Sequence, residues 1–505
     1  MSAPLLDAII IGTGFSGIGM AIELKKSGIQ NFKLLEKASS VAGTWRENTY
    51  PGAACDVQSH LYSFSFAPNT QWSKVYSGWR EIRDYLVRVF EEHELAGHTQ
   101  FNATMVAADY LDDEQCWQVT LSDGRTHKGR NLILGTGPLH VPSIPNLPGL
   151  ADFKGEVMHS AQWRHDVAIQ NKQVVSIGTG GSAIQYVPEI AKIAKRLTVF
   201  QRTAAWVMPR NERRYWGLEK WLFRHVPGWR AAYRSLLYWL NESRVLFMLK
   251  PKAAAIGGFV AKMHLYRQVK NPILRKKLLP DYTIGCKRVL ISNQYFPTFN
   301  RENVDLITHG FDRFVEDGII DSKGRHIPAD VVVLGTGFVA DPAQYLKALP
   351  IRAHGKTLVE SWQDTGAESY LGISVAGFPN LFQMVGPNTG LGHNSMVYMI
   401  ESQCRYIADA LKQQAQKQSS LDLKPEVQSR YNADIQQRLA KTVWQSGCSS
   451  WYKRDDGKNF TLWPGTTFSY RARTKRIDPA CYEWQPYPLA AEAQTPDSVK
   501  QAVNQ

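Results

Sequence analysis

The glycine turn at residues 12–17, repeated in outline at residues 178–183, constrains this chain more than any other feature. The strand Asp7–Ile11 runs into Gly12-Thr-Gly14-Phe15-Ser16-Gly17. An apolar helix follows (Ile18, Ala21, Ile22, Leu24) and stops at Ser27-Gly28, and a second strand, Phe32–Glu36, ends in an acid. In such a unit the first glycine makes the tight turn, the second lets the backbone approach a pyrophosphate, and the third packs helix on strand. The helix N-terminus offers N–H groups and a positive dipole end to phosphates. Glu36 lies 19 residues beyond Gly17, where a carboxylate accepts hydrogen bonds from both hydroxyls of an unphosphorylated ribose. The pattern predicts an FAD site, with Gly12, Gly14, Phe15, Ser16, Gly17 and Glu36 as contacts.

The repeat differs where it matters. The strand Gln173–Ile177 leads into Gly178-Thr179-Gly180-Gly181-Ser182-Ala183, then a helix, then the strand Leu197–Phe200. The position equivalent to Glu36 is now Arg202, followed by Thr203. A carboxylate there would repel a 2′-phosphate, whereas a guanidinium and a hydroxyl bind it. The second site therefore suits NADPH, with Gly178, Thr179, Gly180, Gly181, Ser182, Gln185, Arg202 and Thr203 as contacts. Two further stretches, Asn131 to Gly137 and Asp330 to Gly337, each end in Gly-Thr-Gly. The later one resembles a strand entering the edge of a nucleotide domain. Together they mark where the chain leaves and re-enters the FAD domain, with Pro138–Pro148 as linker.

The expected fold is α/β, with two Rossmann-like dinucleotide-binding domains and a helical insertion. The boundaries read 1–140 and 339–490 for the FAD domain, 150–209 and 284–338 for the NADP domain, 210–283 for the insertion and 491–505 for a polar tail. A chain of 505 residues has room for such cooperating units. The six cysteines lie far apart, which excludes a thioredoxin-type dithiol and a cysteine zinc site and fits a reducing cytoplasm. No metal site is expected. No secretory signal is visible, and no apolar run reaches the ~18 residues that span a bilayer.

The formal charge of +14 is concentrated: Arg210 to Asp281 holds 16 Lys/Arg against 4 Asp/Glu. This stretch is also rich in Trp, Tyr and Leu, and reads as helices walling an active site. A solvated face explains its charge; a peripheral membrane contact that fetches apolar substrates is the alternative. Nucleic acid is not expected, because no binding motif accompanies the charge.

Two longer patterns resemble the flavin-dependent Baeyer–Villiger monooxygenases. One is Phe153-Lys-Gly155-Glu-Val-Met-His159-Ser-Ala-Gln-Trp163, where the family continues with Pro or Asp and this chain has Arg164. The other runs from Ala42-Gly43-Thr44-Trp45 through Tyr50-Pro51-Gly52 to Asp56. The resemblance covers about residues 7 to 470. It implies that Arg288 is catalytic, with Asp56 holding it, and that Lys287 meets the NADPH 2′-phosphate. Trp451 would close over the nicotinamide half. Thr44, Trp45, Asp56, Tyr62, Val106 and Met396 would line the FAD, with a core role open for Val106. His159 would be structural, tying the domains together.

The activity so implied is insertion of one oxygen atom beside a ketone carbonyl, giving an ester or lactone. It would use NADPH and O2 and pass through a C(4a)-peroxyflavin stabilised by an arginine. A guanidinium suits that task because it stays charged and donates several hydrogen bonds. Linear aliphatic ketones are the substrates the resemblance favours. The alternative enzyme is a flavin monooxygenase that oxidises nitrogen or sulfur, which needs no such arginine. A non-catalytic flavoprotein sensor is the alternative outside enzymes.

Overall fold

The computed structural model of the protein describes residues 5–249 and 251–488; the expected polar tail lies outside that range. Its first sheet has nine strands. The strand Leu6–Ile11 lies inside it, parallel to Phe32–Leu35 on one side and Thr126–Leu134 on the other. Both faces are covered, which is why this strand is a continuous apolar run, with Ala8, Ile9 and Ile10 fully buried. The helix Phe15–Lys26 (α1) follows, burying Ile18, Met20, Ala21, Ile22 and Leu24. Late segments complete the sheet: Ile351–Ala353 pairs with Met105–Leu111, and Leu381–Gln383 with Thr126–Leu134.

The second sheet is five parallel strands in the order Val304–Ile307, Arg196–Phe200, Gln173–Ile177, Val331–Leu334, Glu156–His159. Ala183–Ala191 (α2) packs on it. Val331–Leu334 lies inside this sheet: it has partners on both sides, and its four apolar residues are at most 2% exposed. The edge falls to Glu156–His159. Between the sheets the two connecting stretches pair with each other, Ser143 N donating to Gly337 O (2.9 Å) and Val339 N to Val141 O (2.9 Å).

The segment between these sheets' strands forms five helices: Gly217–His225 (α3), Trp229–Glu242 (α4), Val245–Leu249 (α5), Pro251–Gln268 (α6) and Pro272–Leu278 (α7). Within α6, Ala254 and Ala261 belong to the core beneath the first sheet, whereas Leu265 belongs to the core of the second. At the end of α4 the buried Glu242 accepts hydrogen bonds from Asn394 Nδ2 (2.5 Å), Thr467 N (2.6 Å) and Thr467 Oγ1 (2.7 Å). These contacts anchor the insertion beside the long helix Met396–Lys417 (α8). That helix crosses α1 closely at Gly19, where an added Cβ would lie 3.5 Å from Cys404 Sγ. Among the described residues no helix is long and apolar enough to cross a membrane.

Candidate functional site

The first glycine turn is shaped by close backbone approaches. Gly12 has φ +94°, and a Cβ there would lie 2.8 Å from Gly135 O; a Cβ on Gly17 would lie 1.9 Å from Gly12 O. Gly14 caps α1 without any side-chain hydrogen bond, which leaves first-turn N–H groups to a ligand. Glu36 is buried at the end of its strand. It accepts from Thr13 N (2.9 Å), Thr13 Oγ1 (2.7 Å) and Ala38 N (3.0 Å), so the turn itself aims the carboxylate. Thr44 and Trp45 open a short helix after Gly43, whose Cβ would meet Gly14 Cα at 3.1 Å. Trp45 Nε1 donates to Tyr62 OH (3.3 Å), and the Phe15 and Tyr62 rings meet edge-on at 5.1 Å. Ser16 is buried in α1 beside them. Met396 is the first residue of α8, where Ser395 caps Val397 N. Val106 is 40% exposed, so the core role left open for it does not hold.

The second turn repeats the device. Gly178 has φ +109°, and its Cβ would lie 2.4 Å from Gly335 O. The two Gly-Thr-Gly stretches thus share one purpose: Gly135 and Gly335 each bring a carbonyl against the first glycine of a turn. Thr179 Oγ1 donates to Thr203 O (3.2 Å), tying the turn to the end of the next strand. Gly180 has open space around it, Gly181 faces Leu290, and Ser182 caps α2 without using its side chain. Arg202 is exposed, and Lys287 stands near it: burial and the Arg202 charge push the Lys287 ammonium below its usual range. Gln185 departs from expectation. Its amide accepts from Tyr50 OH (3.0 Å) and Ala54 N (3.3 Å) and donates to Ala54 O (2.9 Å). Those bonds fasten α2 to the 50–54 loop of the first unit instead of leaving the amide for a nucleotide.

Within reach of Tyr50 and Tyr62, Arg288 Nη2 donates to Asp56 Oδ2. Burial pushes the Asp56 carboxyl up, but the charge and hydrogen bond of Arg288, helped by Arg210, outweigh it and hold the group below the usual carboxylate range. The Asp56 charge in turn raises Arg288. The Arg288 side chain remains 43% exposed. Trp451 is 45% exposed and touches the buried Tyr452, ring centroids 4.5 Å apart. His159 is buried, accepts from Ala161 N (3.1 Å) and packs edge-on against Phe338. Trp163 is buried against Tyr186. Arg164, the departure from the family pattern, pairs with Glu156 (2.5 Å) and Asp166 (2.9 Å) at the surface.

Residues 9–222 match the family described as pyridine nucleotide-disulphide oxidoreductase. A Baeyer–Villiger monooxygenase of Pseudomonas aeruginosa is 44% identical over 487 residues, covering 95% of this chain and 92% of that protein. One of Streptomyces coelicolor is 42% identical over 496 residues, covering 96% and 95%. The chain belongs to the Baeyer–Villiger monooxygenases. Among solved structures, cyclohexanone monooxygenase from Rhodococcus sp. Phi1 bound to NADP+ superposes with TM-score 0.85 at 25% identity, covering 96% of this chain and all of that one. An oxidised steroid monooxygenase bound to NADP gives 0.84 at 28% identity, covering 94% and 97%. The chain is thus a flavin monooxygenase of the two-nucleotide α/β type.

This Baeyer–Villiger monooxygenase also holds features that sequence reasoning missed. Arg210 Nη2 donates to Cys55 O (3.1 Å), and its guanidinium lies 4.8 Å from the Tyr76 ring, which sets a second cation beside Asp56. Cys286 and Cys448, 162 residues apart, form a disulfide. Far apart in sequence, these two cysteines are neighbours in space. One partner directly precedes Lys287-Arg288 and the other lies three residues before Trp451, so the bridge joins the two predicted active-site segments. No local spacing signals such a pair.

Proposed function

We propose that the enzyme uses FAD and NADPH to insert one atom of O2 beside the carbonyl of a ketone, producing an ester or lactone. The observation that carries this is the Arg288–Asp56 ion pair, whose charges reach Tyr50 and Tyr62. FAD, when bound, accepts hydride from NADPH and activates dioxygen. The uncapped N-terminus of α1 and the buried Glu36 suit its pyrophosphate and ribose. Residues 1–140 and 339–490 would hold it, with Phe15, Trp45, Tyr62 and Met396 along its length. NADPH would lie across 150–209 and 284–338, its 2′-phosphate between Arg202 and Lys287.

In this reading Asp56 fixes one edge of the Arg288 guanidinium, leaving the other free to stabilise negative charge that develops on oxygen. Such stabilisation serves attack on a carbonyl carbon and the oxyanion that follows. Oxidation of nitrogen or sulfur needs a neutral oxidant and no fixed cation, so the ion pair favours the ketone reaction. The test is product analysis by gas chromatography with a ketone panel beside a thioether. Ester or lactone formed with one NADPH consumed per product supports the assignment. Sulfoxide as the only product would replace it with the nitrogen- and sulfur-oxygenating alternative.

A further inference from the structure

The insertion is built inside out. Along α4 the apolar side chains of Leu236, Trp239 and Leu240 are 51–56% exposed, whereas Asn241 and Glu242 are buried and Arg234 turns inward to donate to His60 O (2.5 Å). Along α6, Ile256 and Phe259 are 63% and 66% exposed, with Val260 and Met263 also outward, while His264 is buried. These spacings of three and four residues place each set on one helical stripe. Of 21 large apolar side chains exposed among the described residues, 15 come from residues 216–273. Single exposed apolar residues are ordinary, but such concentration marks a docking surface.

Charge selects the occupant. The same segment carries 16 Lys/Arg against 4 Asp/Glu, and it stays strongly positive with Arg210 and Arg234 turned inward. A second copy of this face would set like charge against like. Nucleic acid would use the cations but leave the apolar stripes wet. A lipid surface with anionic headgroups satisfies both, and Trp is the side chain that best suits the boundary between headgroup and acyl chain. Trp216, Trp221, Trp229 and Trp239 are all exposed here. The surface continues onto the first unit: Phe468 lies 6.0 Å from the Trp239 ring and lines a cleft of about 320 Å³ with Arg405, Arg471 and Lys475. That cleft offers three cations and no acid to a phosphate headgroup.

We propose that the outer faces of α4 and α6, rimmed by the cations of α7, seat this enzyme peripherally on an anionic lipid bilayer. The assignment goes beyond the oxygenation chemistry and does not depend on it. Its test is flotation of the full-length FAD-loaded protein with vesicles of phosphatidylcholine and phosphatidylglycerol, beside vesicles of phosphatidylcholine alone. Two double variants accompany it: Trp239→Ser with Phe259→Ser, and Lys276→Glu with Lys277→Glu. The wild-type protein is expected to float with the anionic vesicles, and each double variant to lose about tenfold or more of that binding. Flavin absorbance and sedimentation should stay unchanged. Failure of the wild type to bind anionic vesicles, or equal binding by both variants, would overturn the proposal. So would a dimer that the aromatic variant dissociates without any flotation, or duplex-DNA retention in its place.

Discussion

Arg288 reaches across 232 residues of sequence to donate a hydrogen bond to Asp56, and both side chains stay partly open to solvent. The pair is therefore fixed at one edge and available at the other. Arg288→Ala is expected to keep FAD bound and NADPH oxidised while ester formation falls by about a hundred- to a thousandfold, the usual cost of losing an oxyanion donor. Asp56→Asn should lower it less, since Arg288 loses its anchor and keeps its charge. Chromatography of products against NADPH consumed reads both. Unchanged ester yield from Arg288→Ala would remove this residue from the chemistry.

Burial first, and then the nearby Arg202 charge, depress the Lys287 ammonium, and Asp281 offsets only part of that. A phosphate between Lys287 and Arg202 relieves their repulsion. Lys287→Ala or Arg202→Ala is expected to raise the KM for NADPH by about ten- to a hundredfold, the worth of one charge-assisted hydrogen bond. The KM for NADH should hardly move. Steady-state kinetics with both nucleotides decides the matter: an equal rise for each would place the two cations away from the 2′-phosphate.

The glycine turns make a paired steric prediction. At Gly17 a methyl group would overlap Gly12 O at 1.9 Å, and at Gly178 it would meet Gly335 O at 2.4 Å. Gly17→Ala should purify without flavin colour. Gly178→Ala should keep the colour and lose NADPH oxidation, because only the second turn is blocked. Absorbance of the purified variants, followed by a nucleotide-oxidation assay, separates the two outcomes.

The Cys286–Cys448 bridge closes a loop that contains the whole 287–447 stretch and part of both units. Cross-links over long loops stabilise by about 2–4 kcal/mol. Thermal melts with and without a thiol reductant should show a lower Tm for the reduced enzyme, and Cys448→Ser should match the reduced protein in either buffer. A variant that still responds to reductant would show that another cysteine is responsible.

Asp422 supplies a pH dependence. Burial pushes its carboxyl up to about 6, although it accepts a hydrogen bond from Gly377 N (3.0 Å). The native chain then binds this proton more tightly than the unfolded chain does. The contribution of Asp422 to stability is accordingly greatest below the ordinary carboxylate range and is lost as pH rises to about 6, by at most about 3 kcal/mol. Asp422→Asn keeps the acceptor and removes the charge, so it should raise Tm at pH 8 and change little at pH 4. Melting curves of both proteins across that range would refute this if the variant were destabilised at the higher pH.

The parts of this architecture that repeat locally were legible from the residues. Strand, turn and helix at Gly12 and Gly178 are contiguous, so spacing alone places their glycines, and the acid at Glu36 against the cation at Arg202 follows from the strand ends. The partnership of Arg288 with Asp56 came from family resemblance and not from spacing, since nothing near either residue points to the other. The remainder depends on chain segments that meet only after folding. Gly135 and Gly335 matter for the backbone they press against, Gln185 for a loop more than a hundred residues away, and Arg210 for a carbonyl in the other unit. The apolar run at Val331–Leu334 reads equally well as an edge or an interior strand until its neighbours are known. Cys286 and Cys448 are invisible as a pair for the same reason.

The helix α6 is about 27 Å of continuous hydrogen-bonded rod, gripped near its start by one core and near its end by the other. A rod clamped at both ends cannot let the two sheets swivel freely; relative rotation has to be taken up as bending within it. Gly257 and Gly258, side by side against Ile284, are its weakest point in propensity. Ile284 lies four residues before Arg288. Torsion between the nucleotide units would thus be felt first at the segment that carries the guanidinium, making its aim a gauge of how the two halves are turned.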